Sequence, residues 1–81
     1  MARRIKPQVR QLPIVIERDE DGYYVVECPV FSGCYTQGKT LDAALRNIRE
    51  VVGLCLQEKD NRARLADYHP QELAFHTLTY A

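Results

Sequence analysis

The feature that most constrains this chain is a segment with the spacing of an amphipathic α-helix, residues 41–58. Its apolar residues recur every three or four positions, so that they share one broad face. They are Leu41, Ala44, Leu45, Ile48, Val51, Val52, Cys55 and Leu56. Thr40 is predicted to cap the helix, because its hydroxyl can accept from a free N–H group of the first turn. Such a helix must pack its apolar face on another layer, which the rest of the chain has to supply.

Segments with strand periodicity lie on both sides of this helix. Apolar and polar residues alternate over residues 11–17 and 23–28, and a short third strand is predicted over 34–37. Residues 72–80, rich in aromatic and β-branched side chains, are predicted as a last strand. A short helical turn is predicted over residues 62–67. The turns carry residues with special backbone geometry, namely Gly22, Pro29, Gly33 and Gly38.

This order of elements predicts an α+β fold with a thin sheet. Two short connections make the first three strands an antiparallel meander, and one helix packs on one face of it. A right-handed crossover would then return the final strand parallel to the first. At 81 residues the chain is expected to form one domain over residues 11–81, preceded by a basic N-terminal arm over residues 1–10. The sheet face away from the helix is left for water or a partner.

The composition favours a protein that binds other proteins. The hydrophobic fraction is 46%, too high for a disordered chain, and a domain this small leaves much apolar surface exposed. We therefore expect self-association as a dimer or tetramer. The formal net charge is zero, which argues against a general polyanion binder. The basic arm is read either as a solvated tail or as a contact to nucleic acid or an acidic partner.

The cysteines and the hydropathy pattern indicate a compartment. Cys28, Cys34 and Cys55 form an odd set with no C-x-x-C pair, and no apolar run approaches the ~18 residues of a membrane span. A reduced, cytoplasmic protein without a membrane segment is the expectation.

No constellation for catalysis or metal binding is predicted. Two-metal nuclease chemistry needs several carboxylates converging on one place, whereas the candidate acids among the eleven of this chain fall in a hairpin loop, on one strand and on the helix. They are Asp19, Glu20, Asp21, Glu27, Asp42 and Glu50. The spacing of Cys28, Cys34, His69 and His76 matches no structural zinc pattern. We expect no enzyme, no cofactor and no metal.

Residues 12–58 resemble the HicB family of type II antitoxins. The likeness is carried by segments whose order and spacing are more specific than any one of them. They are LPIVIE at 12–17, DGYYVV at 21–26, CPVFSGCYTQGKT at 28–40, LDAAL at 41–45 and Asn47-Ile48. Ser32 departs from the pattern, since the family usually has a second proline there. The chain also resembles a short form without the C-terminal DNA-binding domain of full-length members.

The resemblance implies a partial ribonuclease-H-like sheet and a function. A HicB-like domain would neutralise a small mRNA-cleaving toxin of the HicA type by covering its RNA-binding surface and catalytic histidine. The candidate partner-binding residues are Tyr23, Tyr24, Glu27, Tyr35 and Leu54. The loop and cap residues Gly22, Pro29, Gly33, Gly38 and Thr40 are expected to be structural. The alternative is a stand-alone oligomeric domain that binds another protein, a small ligand or RNA without a toxin.

Overall fold

The computed structural model describes residues 11–81, and the predicted basic arm lies outside the described residues. Three strands are followed by two helices. They are β1 (Val15–Arg18), β2 (Tyr24–Glu27), β3 (Tyr35–Gly38), α1 (Leu41–Cys55) and α2 (Lys59–Ala66). The α+β class and the three-stranded meander followed by a helix are therefore confirmed.

The sheet is antiparallel with the order β1-β2-β3. The β1–β2 hairpin closes through Asp19, whose Oδ1 accepts from the N–H groups of Asp21 at 3.0 Å and Tyr23 at 2.9 Å. Gly22 has a φ of 88°, which glycine adopts without the steric cost of a Cβ. The polar loop thus sets the register in which Arg18 faces Tyr24.

The second connection, residues 28–34, closes on the core. The Cys28 N–H donates to the Cys34 carbonyl at 2.9 Å, and Gly33 has a φ of 67°. Pro29 is exposed at the start of this turn, and Phe31 inserts into the core. The fully enclosed core is small. It consists of Val26, Cys28, Phe31, Cys34, Ala44 and Ile48.

The sheet leads into α1 through a close approach. A Cβ built on Gly38 would lie 2.5 Å from the Ala44 nitrogen, so only glycine fits where β3 meets the first turn of the helix. The Thr40 hydroxyl accepts from the Ala43 N–H at 3.1 Å, as the predicted cap requires. From there α1 runs over β3 and β2, with less cover of β1. Its regular part ends at Cys55, three residues before the predicted end.

A second helix forms where only a short turn is predicted. It begins at Lys59, earlier than the predicted residue 62, and is held by Asn61, a buried polar residue. The Asn61 amide donates to the Cys55 carbonyl at 2.9 Å and its Oδ1 accepts from the Ser32 N–H at 3.2 Å. Asn61 therefore ties α2 both to the end of α1 and to the 28–34 loop.

The predicted final strand is not formed. Residues 72–80 have no strand assignment, and no backbone hydrogen bond joins them to the rest of residues 11–81. Strand propensity describes how well side chains fit a pleated surface, so it produces a strand only where a neighbouring edge is within reach. The partial ribonuclease-H-like topology depends on this fourth strand and stays a prediction.

Candidate protein-binding surface

The sheet surface opposite α1 is the first candidate site, here called the open face. The strand register brings two cross-strand rows onto it: Val15, Glu27 and Tyr35, and Glu17, Val25 and Gln37. Strand alternation adds Tyr23 at the start of β2. Within residues 11–81, α1 packs on the other side of the sheet, and no helix or strand packs over these rows.

The open face combines an apolar centre with acidic neighbours. Tyr35, on β3, is 66% exposed, and the half-buried Val15 and Val25 lie on β1 and β2. Glu17 and Glu27 are exposed beside them. Aromatic side chains on a flat, partly apolar surface are typical of protein interfaces, and the two carboxylates favour a basic partner.

The candidate partner-binding residues from the sequence fall on three surfaces. Tyr23, Glu27 and Tyr35 lie together on the open face. Tyr24 lies on the opposite side, half-buried against the core, with the Arg18 guanidinium 5.4 Å from its ring centre. Leu54 is 62% exposed on α1, beside the cleft that α1 forms with the 28–34 loop and α2. The sequence alternation of two adjacent tyrosines already indicated that one of them faces inward.

A second surface, which the sequence analysis missed, lies at the edge of β1. Because α1 is centred over β3 and β2, part of its apolar face stays uncovered beside the segment that leads into β1. A groove of about 600 Å³ lies there, here called the β1-edge groove. Its walls are apolar, and two arginines of α1 form its rim. The lining residues are Leu12, Ile14, Leu45, Arg46, Ile48, Arg49 and Val52. The only sequence signal for this groove was that the apolar face of the helix is broader than the surface that three short strands can cover.

The thiols form an inert cluster in the core. Cys28 and Cys34 are buried, and Cys55 is half-buried; all three are free. Burial raises the pKa of the Cys34 thiol to about 12 and also raises the pKa of the Cys28 thiol. Both are therefore protonated at neutral pH, whereas thiol nucleophiles and metal ligands need the thiolate. Within residues 11–81, no three His, Cys, Asp or Glu side chains are grouped so as to hold a metal ion.

Neither α1 nor α2, the helices within residues 11–81, is long and apolar enough to cross a bilayer.

The fold is that of a small α+β domain with exposed apolar surfaces, and comparison with known proteins gives its family. The family model described as the HicB-like antitoxin of bacterial toxin–antitoxin systems matches residues 12–77. The chain belongs to this family, and an antitoxin role follows in general terms.

Similar proteins occur in bacteria and archaea. A UPF0150 protein of Synechocystis is 56% identical over 45 residues, which is 56% of this chain and 65% of that protein. A UPF0150 protein of Archaeoglobus fulgidus is 52% identical over 48 residues, 59% of this chain and 70% of that protein. A UPF0150 protein of Thermoplasma acidophilum is 39% identical over 64 residues, 78% of this chain and 93% of that protein. The chain thus spans just under two thirds of the Synechocystis protein and nearly all of the Thermoplasma protein.

Proposed function

We propose that this chain is an antitoxin that neutralises a small HicA-type mRNA-cleaving toxin by covering its active surface. The observation that carries the proposal is the open face, where Tyr35 is 66% exposed on β3 opposite Glu27, and Glu17 lies on β1 of the same face. The role is steric and electrostatic, so the chain needs no catalytic residue of its own and is not an enzyme.

Charge supports a toxin as the partner of this face. A protein that cleaves mRNA must bind a polyanion, so its RNA-binding surface carries Lys and Arg. The two glutamates of the open face would lie against that surface in place of RNA phosphates, and Tyr35 and Tyr23 would supply the aromatic anchors. The proposal assigns the chain to the cytoplasm, where mRNA is found and where its three free thiols stay reduced.

The test uses the small toxin-like protein encoded beside this gene. Co-expression of the full chain should restore growth of cells that express the toxin, and the purified proteins should form a complex. Tyr35→Ala should weaken binding about 30-fold, the effect of a typical ~2 kcal/mol anchor residue. Glu17→Lys with Glu27→Lys should weaken it further and reverse its salt dependence.

The matched control is Glu50→Lys, an exposed glutamate of α1 away from the sheet. It makes the same charge change as either single reversal on the open face and should bind like the wild-type chain. If no toxin-like reading frame adjoins the gene, or if Tyr35→Ala and the double charge reversal bind as tightly as Glu50→Lys, the proposal fails.

A second candidate function is a stand-alone oligomeric domain that binds another protein, a small ligand or RNA. The observation in its favour is the extent of exposed apolar surface outside the open face, from Leu73 to Tyr80. Purification from the native host separates the two candidates. A small basic protein in the eluate supports the antitoxin, whereas self-association without it supports the stand-alone domain.

A further inference from the structure

The C-terminal segment, residues 71–81, has the sequence pattern of a strand but pairs with none of the described strands. Every residue in it is exposed, and the exposed fractions of its large apolar side chains are high. They are 57% for Leu73, 76% for Phe75, 85% for Leu78 and 91% for Tyr80. Glu72 is the one formally charged residue of the segment, and the segment contains no proline. Uncharged, strand-favouring segments aggregate unless a defined partner covers them.

The β1-edge groove is the complementary surface. Among the described strands β1 pairs only with β2, so the backbone N–H and C=O groups along its other edge are available for a further strand. Ile16, on the helix side of β1, is 40% exposed because α1 does not reach over it. The groove beside it is apolar, and its rim carries Arg46 and Arg49, opposite in charge to Glu72.

We propose that the C-terminal segment of one copy adds as a strand to the β1 edge of a second copy and packs the apolar side chains of one strand face, either Leu73 and Phe75 or Leu78 and Tyr80, into the β1-edge groove. The second copy returns its own segment to the first, so the interface is two-fold symmetric. This goes beyond the proposed function, because it needs no toxin and leaves the open face free to bind one.

The position of the segment favours exchange over closure on its own chain. Its beginning, around residues 70–73, lies beside Gln11, four residues before β1 begins. The rest of the segment is exposed, and none of its residues lines the groove of its own chain. Each chain therefore carries a donor strand and an acceptor edge that do not meet within it. A second copy satisfies both at once, and this is how exchange of an identical element makes dimers at low cost.

The first experiment measures mass in solution by light scattering during size-exclusion chromatography. The full chain, 9.4 kDa, should elute as a dimer. Phe75→Asp with Leu78→Asp should elute as a monomer, and since both side chains are mostly exposed, helical circular dichroism should be unchanged. Ala63→Asp, an equivalent change on the exposed side of α2, should remain a dimer. A wild-type monomer, or a dimer that survives the double substitution, would overturn the proposal.

The second experiment distinguishes exchange from closure within one chain. Leu45→Cys in the groove is combined in turn with cysteine at Phe75, His76, Thr77 or Leu78 and oxidised. Because successive side chains of a strand point to opposite faces, alternate positions should cross-link and their neighbours should not. The products should run as covalent dimers, absent from the single-cysteine variants. Cross-links within one chain, or none at any position, would refute exchange.

Discussion

Gly38 makes the closest backbone approach among the four glycines of the described residues. A Cβ at this position would meet the Ala44 nitrogen at 2.5 Å, and backbone cannot yield as a flexible side chain can. Gly38→Ala should therefore lower the free energy of unfolding by about 1–3 kcal/mol, the usual cost of overpacking.

The matched control for Gly38 is Gly53, which lies inside α1 with open space around its missing Cβ. Gly53→Ala should raise the free energy of unfolding by roughly 1 kcal/mol, because alanine is the better helix former. Denaturant titration of both variants measures the contrast. Equal effects of the two substitutions would show that the close approach at Gly38 does not exist.

Cys34 gives a pH dependence at the residue scale. Burial raises its pKa to about 12, whereas an unfolded thiol ionises near a pKa of about 8.5. Between these values unfolding releases a proton, so the free energy of unfolding falls as pH rises from about 9 towards 12 and is unaffected by this group below that window.

Denaturant titrations at pH 8 and pH 10.5 test this expectation. Cys34→Ala should be less stable than the wild-type chain at pH 8, since it leaves a cavity, but it should lose less stability on going to pH 10.5. An equal loss in both proteins would contradict the assignment of the pH dependence to this buried thiol.

At the scale of elements, α2 depends on Asn61. The side-chain amide of Asn61 makes one hydrogen bond to the last turn of α1 and another to the 28–34 loop. Both hydrogen bonds are partly buried. Asn61→Ala should lower the free energy of unfolding by about 1–3 kcal/mol, because the Ser32 N–H and the Cys55 carbonyl lose their partner. Asn47→Ala is the control, since Asn47 makes one exposed bond to the Gln37 carbonyl and should cost less than about 1 kcal/mol. Urea midpoints rank the two variants, and the reverse order would contradict this role.

The elements differ in how far their sequence predicts them. The hairpin and α1 form as predicted because their signals are local: the loop around Gly22, the Thr40 cap and the helical apolar spacing act within a few residues. The length of α2 depends on Asn61 reaching Ser32, 29 positions earlier, and no local pattern reports that contact. Residues 72–80 have the pattern of a strand but depend on an edge far away in sequence.

At the scale of the whole molecule, the core is too small to account for all the apolar residues. Six side chains form it, while Phe75, Leu78 and Tyr80 remain almost fully exposed. If a second copy covers them, thermal stability should depend on protein concentration by mass action. Each tenfold rise in concentration should raise the free energy of unfolding of the dimer by about 1.4 kcal/mol. Melting curves over a hundredfold range should show a rising midpoint for the wild-type chain. The midpoint of Phe75→Asp with Leu78→Asp should not move, and a common shift in both would contradict the strand exchange.

What the sequence determined by itself was the meander of β1, β2 and β3, the capped helix α1, the side of β2 that faces inward, and the likeness to HicB antitoxins. These depend on alternation, capping and turn chemistry, which act between near neighbours. Only the tertiary structure decided where α1 lies across the sheet, and therefore which surfaces stay open. That offset produces the β1-edge groove and leaves the C-terminal segment without a partner. It arises from packing of distant side chains, and the spacing of apolar residues cannot specify it.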